Sequence, residues 1–203
     1  MRAAPPDGAL DRQLEAAYGL IAGVDEVGRG AVAGPVTVAA VILDPRRPVA
    51  GLDDSKRLSP NRRRRLAAEV LEKAVCWAVA HRSPADIDRL NILEATRAAM
   101  VEAVLSLART PGLVVIDAVV LPGLTFAQRA EVRADARYLC VAAASIVAKV
   151  VRDETMVRLA REVPGYGWES NKGYPSPAHL AALRRLGPCE HHRRSFKPLR
   201  VLG

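Results

Sequence analysis

Short runs of Val, Ile and Ala punctuate this chain, separated by longer stretches whose apolar residues recur every three or four positions. Residues 20–26 and 34–43 ("GPVTVAAVIL") are short and rich in Val and Ile, so both read as strands joined by a glycine-rich turn. Ser59 and Pro60 start a helix, Ser as N-cap and Pro in the first turn, and this arginine-rich helix runs to about Glu72. "AVCWAVAHR" at 74–82 alternates as a third strand, and "SPAD" at 83–86 opens a short helix in the manner of a capping box. Asn91 followed by Glu94 starts a longer helix over 92–109, with Leu93, Met100, Val104 and Leu107 on one face. "GLVVID" at 112–117 is a fourth strand, again ending in an acid. "YLCVAAA" at 138–144 reads as a short fifth strand running into a helix that reaches about Glu162. Ser176 and Pro177 open a last helix, and Gly187 closes it. Together these elements predict an α/β domain with a mixed five-stranded sheet flanked by helices and a helical C-terminal region. Hairpin-length connections join the early strands, which disfavours a purely parallel, doubly wound sheet.

The length of 203 residues suits a single domain, 1–203, with about 160–203 as a helical appendage. No apolar stretch approaches the ~20 residues of a membrane span. The opening "MRAAPPDGALDRQLEAAYGL" has no signal-peptide core. Cys76, Cys140 and Cys189 stand far apart, as expected of free thiols in a reducing cytoplasm. A net charge of +8, clustered in "NRRRR" at 61–65 and "HHRRSFKPLR" at 191–200, nominates a polyanionic partner. A solvated helix face and a basic tail explain the same clusters equally well.

The chemistry gathers at strand ends. Asp25, Asp117 and Asp135 each close or neighbour an apolar strand, and Glu26 follows Asp25 directly. Converging carboxylates repel unless a cation or proton intervenes. Mg²⁺ takes oxygen ligands of this kind, a few carboxylates plus water and substrate phosphate, and one or two ions would suit the set. Successive strand residues point to opposite faces. Either the strand therefore breaks at Glu26, which Gly28 would permit, or Glu26 contributes through its backbone carbonyl. Taken singly, each acid is better explained by a surface salt bridge or a helix cap.

"GVDEVGRGAVAGPV" at 23–36 resembles the signature of the type 2 ribonucleases H, bacterial ribonuclease HII in particular. "DDSKRLS" at 53–59, "NILEATRAAM" at 91–100, "VAAASIVAKVVRD" at 141–153, "NKGYPSPAHLAAL" at 171–183 and "GPCEHHRRSFKP" at 187–198 are similar to further segments of that family, in order along nearly the whole chain. The resemblance implies a ribonuclease H-like core and hydrolysis of the RNA strand of RNA–DNA hybrids. It also implies incision 5′ of single ribonucleotides embedded in duplex DNA, leaving 3′-hydroxyl and 5′-phosphate ends, with Mg²⁺ or Mn²⁺. Its acidic cluster falls on Asp25, Glu26, Asp117 and Asp135. Asp153 is the rival for the fourth place, but with Lys149 at i−4 it reads as a helix ion pair. Asp117 precedes Ala118 where the family commonly has Gly, a mild departure because Ala is small.

In that frame Gly28 and Gly30 let the backbone approach a ribose 2′-hydroxyl, which is both donor and acceptor. Arg29 would hold the neighbouring phosphate, and Tyr174 would stack on the deoxyribose at the RNA–DNA junction. Lys56 and Lys172 are candidate phosphate contacts, and Ser145 and Lys149, one turn apart, suit phosphate or support of the acids. His191 and His192 are adjacent and are not assigned as ligands. A monomer is expected, and the ending "FKPLRVLG" leaves sliding-clamp association undecided. The alternatives are the sister ribonuclease HIII type, which usually carries an extra N-terminal domain, and a non-catalytic hybrid-binding protein. Asp25 is expected to be the central metal ligand and Glu26 the more peripheral one. In metal titrations Asp25→Asn should therefore lose more affinity than Glu26→Gln, and equal losses would refute that order.

Overall fold

A computed structural model describes residues 5–197 and 199–201. Strand β1 (Ile21–Val27) forms the centre of a five-stranded sheet. It pairs antiparallel with β2 (Val36–Ile42), which pairs antiparallel with β3 (Cys76–Arg82). On its other side β4 (Leu113–Asp117) and then β5 (Ala127–Glu131) add in parallel. The order is β3-β2-β1-β4-β5, a mixed sheet as the patterning predicts.

Helices cover both faces. Ala39 and Val41 of β2 pack under α2 (Pro60–Lys73) and the Ala-rich start of α5 (Leu139–Glu162). The opposite face, through Val24, Val38, Ala40, Val114 and Ile116, packs on Ala99, Met100, Ala103 and Val104 of α4 (Ile92–Leu105). The Ser83–Asp86 capping box starts α3 (Pro84–Leu90). The last segments are α6 (Trp168–Asn171) and α7 (Pro177–Leu186), the latter capped by Ser176.

Three expectations need correction. Residues 139–144 belong to helix α5, and the fifth strand is β5 instead. The apolar run is helical because half of it is Ala, the best helix former, and these small side chains let α5 lie directly on the sheet. β5 is a partly exposed edge strand, "AQRAE", with no alternation to reveal it. Helix α4 ends at Leu105 rather than 109, and Leu93 is partly exposed, off the buried face. Helix α1 (Ala9–Tyr18) had no counterpart in the patterning. Its role is tertiary: α5 has no side-chain cap of its own, and the buried Asp11 carboxylate accepts from the Leu139 and Cys140 amides at 2.9 and 3.0 Å.

The approach of α5 to β1 is set by Gly23. A methyl group on Gly23 would lie 2.1 Å from the Cys140 carbonyl carbon and 2.4 Å from the Val141 nitrogen, both backbone atoms that cannot swing aside. Gly23→Ala should therefore destabilise the protein by about 3 kcal/mol through overpacking. Urea unfolding checks this, and an unchanged midpoint would show that α5 can shift freely.

Candidate active site

Strand register builds the acid cluster. Gly23 stands opposite Val115 and Val24 opposite Ile116, so the next step along the parallel ladder sets Asp25 beside Asp117. The two strands are about 4.8 Å apart, and both carboxylates share the face that α5 covers. The strand does not break at Glu26: β1 runs on through Val27, with Glu26 paired to Val38. Asp25, Glu26 and Asp117 nevertheless line one cleft of 390 Å³ with Ser55, Lys56, Ser145, Lys149 and Tyr174. Asp135 sits just behind, buried in a single turn (Ala134–Ala136) whose Ala134 amide donates to Asp117 Oδ1 at 3.1 Å. Asp153 is elsewhere, in an ion pair with Lys149 at 2.7 Å.

The acids feel one another. Burial raises the Asp25 carboxyl well above its usual range, Glu26 raises it further, a hydrogen bond from Ser145 opposes this, and Asp117 and Asp135 add to the rise. Burial also raises Glu26, against the charge and hydrogen bond of Arg29, with Asp117 adding to the rise. Asp135 is raised by burial, then by Asp54 and Asp117, with Lys56 opposing. Arg29 Nη1 donates to Glu26 Oε1 at 3.2 Å, whereas Glu26 Oε2 is buried without a hydrogen-bond partner among the described residues. Among those residues no three or more His, Cys, Asp or Glu side chains are arranged so that they could hold an ion as they stand. The donor set still fits a hard divalent cation: all oxygen, crowded with negative charge, and with one buried lone pair unanswered.

The two turn glycines have different surroundings. Gly28, at φ 94°, needs a left-handed backbone, and a methyl there would meet Arg152 Nε at 2.1 Å. Gly30 is exposed, and a methyl there would meet nothing closer than the Tyr174 ring edge at 3.9 Å. Ala118 also lies in the left-handed region, at φ 56°. Glycine would thus suit that position for its backbone freedom, and small size is beside the point; Ala costs roughly 1 kcal/mol there.

Residues 22–199 match the sequence profile of the family described as Ribonuclease HII. The chain belongs to the ribonuclease HII family. Ribonuclease HII of Vibrio cholerae serotype O1 is 50% identical over 192 residues, covering 94% of this chain and 93% of that protein. The crystal structure of ribonuclease H2 from Pyrococcus horikoshii superposes with a TM-score of 0.77 at 29% identity, covering 90% of this chain and 96% of the other. The ribonuclease HII of the Archaeoglobus fulgidus PCNA complex gives 0.73 at 29% identity, covering 88% and 95%. As a ribonuclease HII, the protein is a hydrolase that cleaves RNA in RNA–DNA hybrids and serves ribonucleotide excision. The family uses divalent metal ions. No described helix is long and apolar enough to cross a membrane.

Two residues that frame the ribonuclease HII site were not singled out from sequence. Arg152 and Arg193 are fully buried, and the hydrogen bonds of their guanidinium groups go to backbone carbonyls. Arg152 donates to the carbonyls of Pro35, Lys172 and Ala33 at 2.8, 2.9 and 3.1 Å. Arg193 donates to Gly34 from Nε and Nη2, and to Arg29 from Nη1 at 3.0 Å. The glycine turn is thus held by two guanidinium forks. A solvated tail is one of the two readings of the basic segment 191–200, but its His192 and Arg193 are interior and Ala33 forms a β-bridge with His192. Of the ending "FKPLRVLG", which leaves sliding-clamp association undecided, Pro198, Leu202 and Gly203 lie outside the described residues.

A chain of neutral imidazoles supports Tyr174. His179 Nδ1 donates to the Tyr174 carbonyl at 2.8 Å, and its Nε2 accepts from Trp168 at 3.0 Å. His192 Nδ1 accepts from the Cys189 amide at 3.1 Å, leaving Nε2 to face His179 at 3.3 Å. Burial and the neighbouring His179 hold His192 down to about 4. Below pH 6.5 the unfolded chain takes up a proton that the folded one refuses, so stability falls as pH drops from 6.5 towards 4. Relative to His192→Asn, the wild type should lose about 2 kcal/mol more between pH 7 and pH 5 in urea titrations. Parallel losses in the two proteins would contradict it.

Proposed function

We propose that Asp25, Glu26, Asp117 and Asp135 hold the divalent ion, one or two of Mg²⁺ or Mn²⁺, for cleavage 5′ of a ribonucleotide in duplex DNA. The observation that carries this is the convergence of Asp25 and Asp117 on one cleft through the β1–β4 register, with Glu26 Oε2 unanswered beside them. A bound ion supplies Lewis-acid stabilisation of the charge that builds on the phosphate. The protein's own residues do the rest. Ser145, hydrogen-bonded to Ser55 at 2.9 Å, orients Asp25. Lys56 and Lys149 meet the phosphates, and Arg29 transfers from Glu26 to the phosphate beside the scissile one. Backbone groups of the Gly28–Gly30 turn read the 2′-hydroxyl, with Gly30 as the open approach. Tyr174, against Gly30, takes the deoxyribose that follows. Residues from about 160 to 203 serve as the substrate-binding appendage of a single domain.

The test is cleavage of a duplex with one ribonucleotide and of a long RNA–DNA hybrid, with metal and with EDTA, by wild type and Asp25→Asn. EDTA should stop cleavage. Asp25→Asn should keep hybrid binding and lose about 10³-fold in rate, as when one preorganised stabiliser of a transition state is removed. Its melting temperature in EDTA should equal or exceed the wild type's, because ionising a carboxyl whose folded pKa is raised costs stability at neutral pH. Normal cleavage by Asp25→Asn would remove the site assignment.

A further inference from the structure

A second cleft, 680 Å³, opens beside the acidic one between α2 and α5, and α6 borders it. Six cations line it: Arg63 and Arg64 from α2, Lys149, Arg158 and Arg161 from α5, and Lys172. Against them stand two acids, Asp153 and Glu154, and Asp153 is already paired with Lys149 at 2.7 Å. Among the described residues Arg64 bonds only the Asn61 side chain within its own helix turn, at 3.2 Å, and Arg161 is exposed. The charges crowd: burial lowers the Lys172 pKa, Asp153 opposes this, and the positive fields of Lys149 and Arg64 lower it further. Val150, Val157 and Pro60 supply apolar walls between the cations.

Two connections join this cleft to the acidic one. Lys149 lines both. Arg63 Nη1 donates to the Ser55 carbonyl, tying α2 to the turn that carries Lys56. The acidic cleft by itself repels a polyanion, so the affinity that seats a duplex there must come from cations nearby. Binding energy gained away from the reacting bond can then be used to position that bond.

We propose that the α2–α5 cleft seats the phosphodiester backbone of the substrate duplex at a distance from the cleaved linkage. This rests on the ribonuclease site described above. The cleft reads phosphate charge, so its contribution is independent of base sequence and falls with salt.

The test is the double variant Arg64→Gln/Arg161→Gln, two exposed residues remote from the acids. Steady-state kinetics are measured on ribonucleotide-containing duplexes of ~30 and ~8 base pairs, at about 3.4 Å per base pair. On the long duplex, KM should rise roughly tenfold at moderate salt with kcat unchanged. The plot of log affinity against log salt should flatten by about 1.8, close to 0.9 for each of two lost phosphate contacts. The short duplex should be cut as by wild type, and Arg64→Lys/Arg161→Lys should recover the wild-type salt slope. Unchanged KM and slope on the long duplex, or an equal loss on the short one, overturns the proposal while leaving the acidic site intact. A wild-type protein that cuts neither duplex overturns the ribonuclease site and the groove together.

Discussion

Parallel pairing between β1 and β4 is the constraint on which the rest depends. It sets Asp25 next to Asp117, far apart in sequence, on the one sheet face that a long helix covers. Two carboxylates so placed destabilise each other, and burial under α5 makes this worse. The fold tolerates the arrangement because the surrounding contacts are over-determined. Gly23 admits the α5 backbone against β1, Asp11 caps that helix from α1, and Ser145 hydrogen-bonds Asp25. Stability lost at the cleft would be regained on binding the cation proposed for it.

Beside this negative centre lies a positive frame. Arg152 and Arg193 sit inside the protein with backbone carbonyls as their acceptors, where a buried ion pair would be the commoner solution. Burial and the nearby Arg152 push Arg193 down to about 9, which still leaves it charged at neutral pH. Each planar fork spans two carbonyls of the 29–35 segment, a geometry lysine could not reproduce. The Gly173 carbonyl accepts from the Val32 and Ala33 amides at 2.9 and 3.2 Å, so the loop bearing Tyr174 is fastened to the same turn. Turn, tyrosine and C-terminal segment therefore form one rigid unit beside the acids.

Local signals in the sequence were strong where an element's chemistry is its own. Ser59–Pro60, Ser83 with Asp86, Asn91 and Ser176–Pro177 start helices where their side chains cap them. The first four strands follow from Val and Ile runs to within two residues at each end. The signals failed where the context is tertiary. β5 exists because β4 offers it an edge, and its polar residues carry no pattern of burial. The run 139–144 is apolar on all sides because it lies between sheet and neighbouring helices, and length and Ala content outweigh the strand-like look of its first residues.

Sequence alone determined the family, the acids towards the ends of β1 and β4 and the glycine turn between two apolar runs, because these are local or carried by ordered motifs. Tertiary structure decided that Asp25 and Asp117 are neighbours, that Asp135 stands behind them and Asp153 apart, and that Arg152 of α5 and Arg193 of the basic 191–200 segment turn inward. The physical reason is distance along the chain. Register, burial and the sharing of a carbonyl between remote side chains are set only once the sheet has closed, and no spacing in one dimension records them.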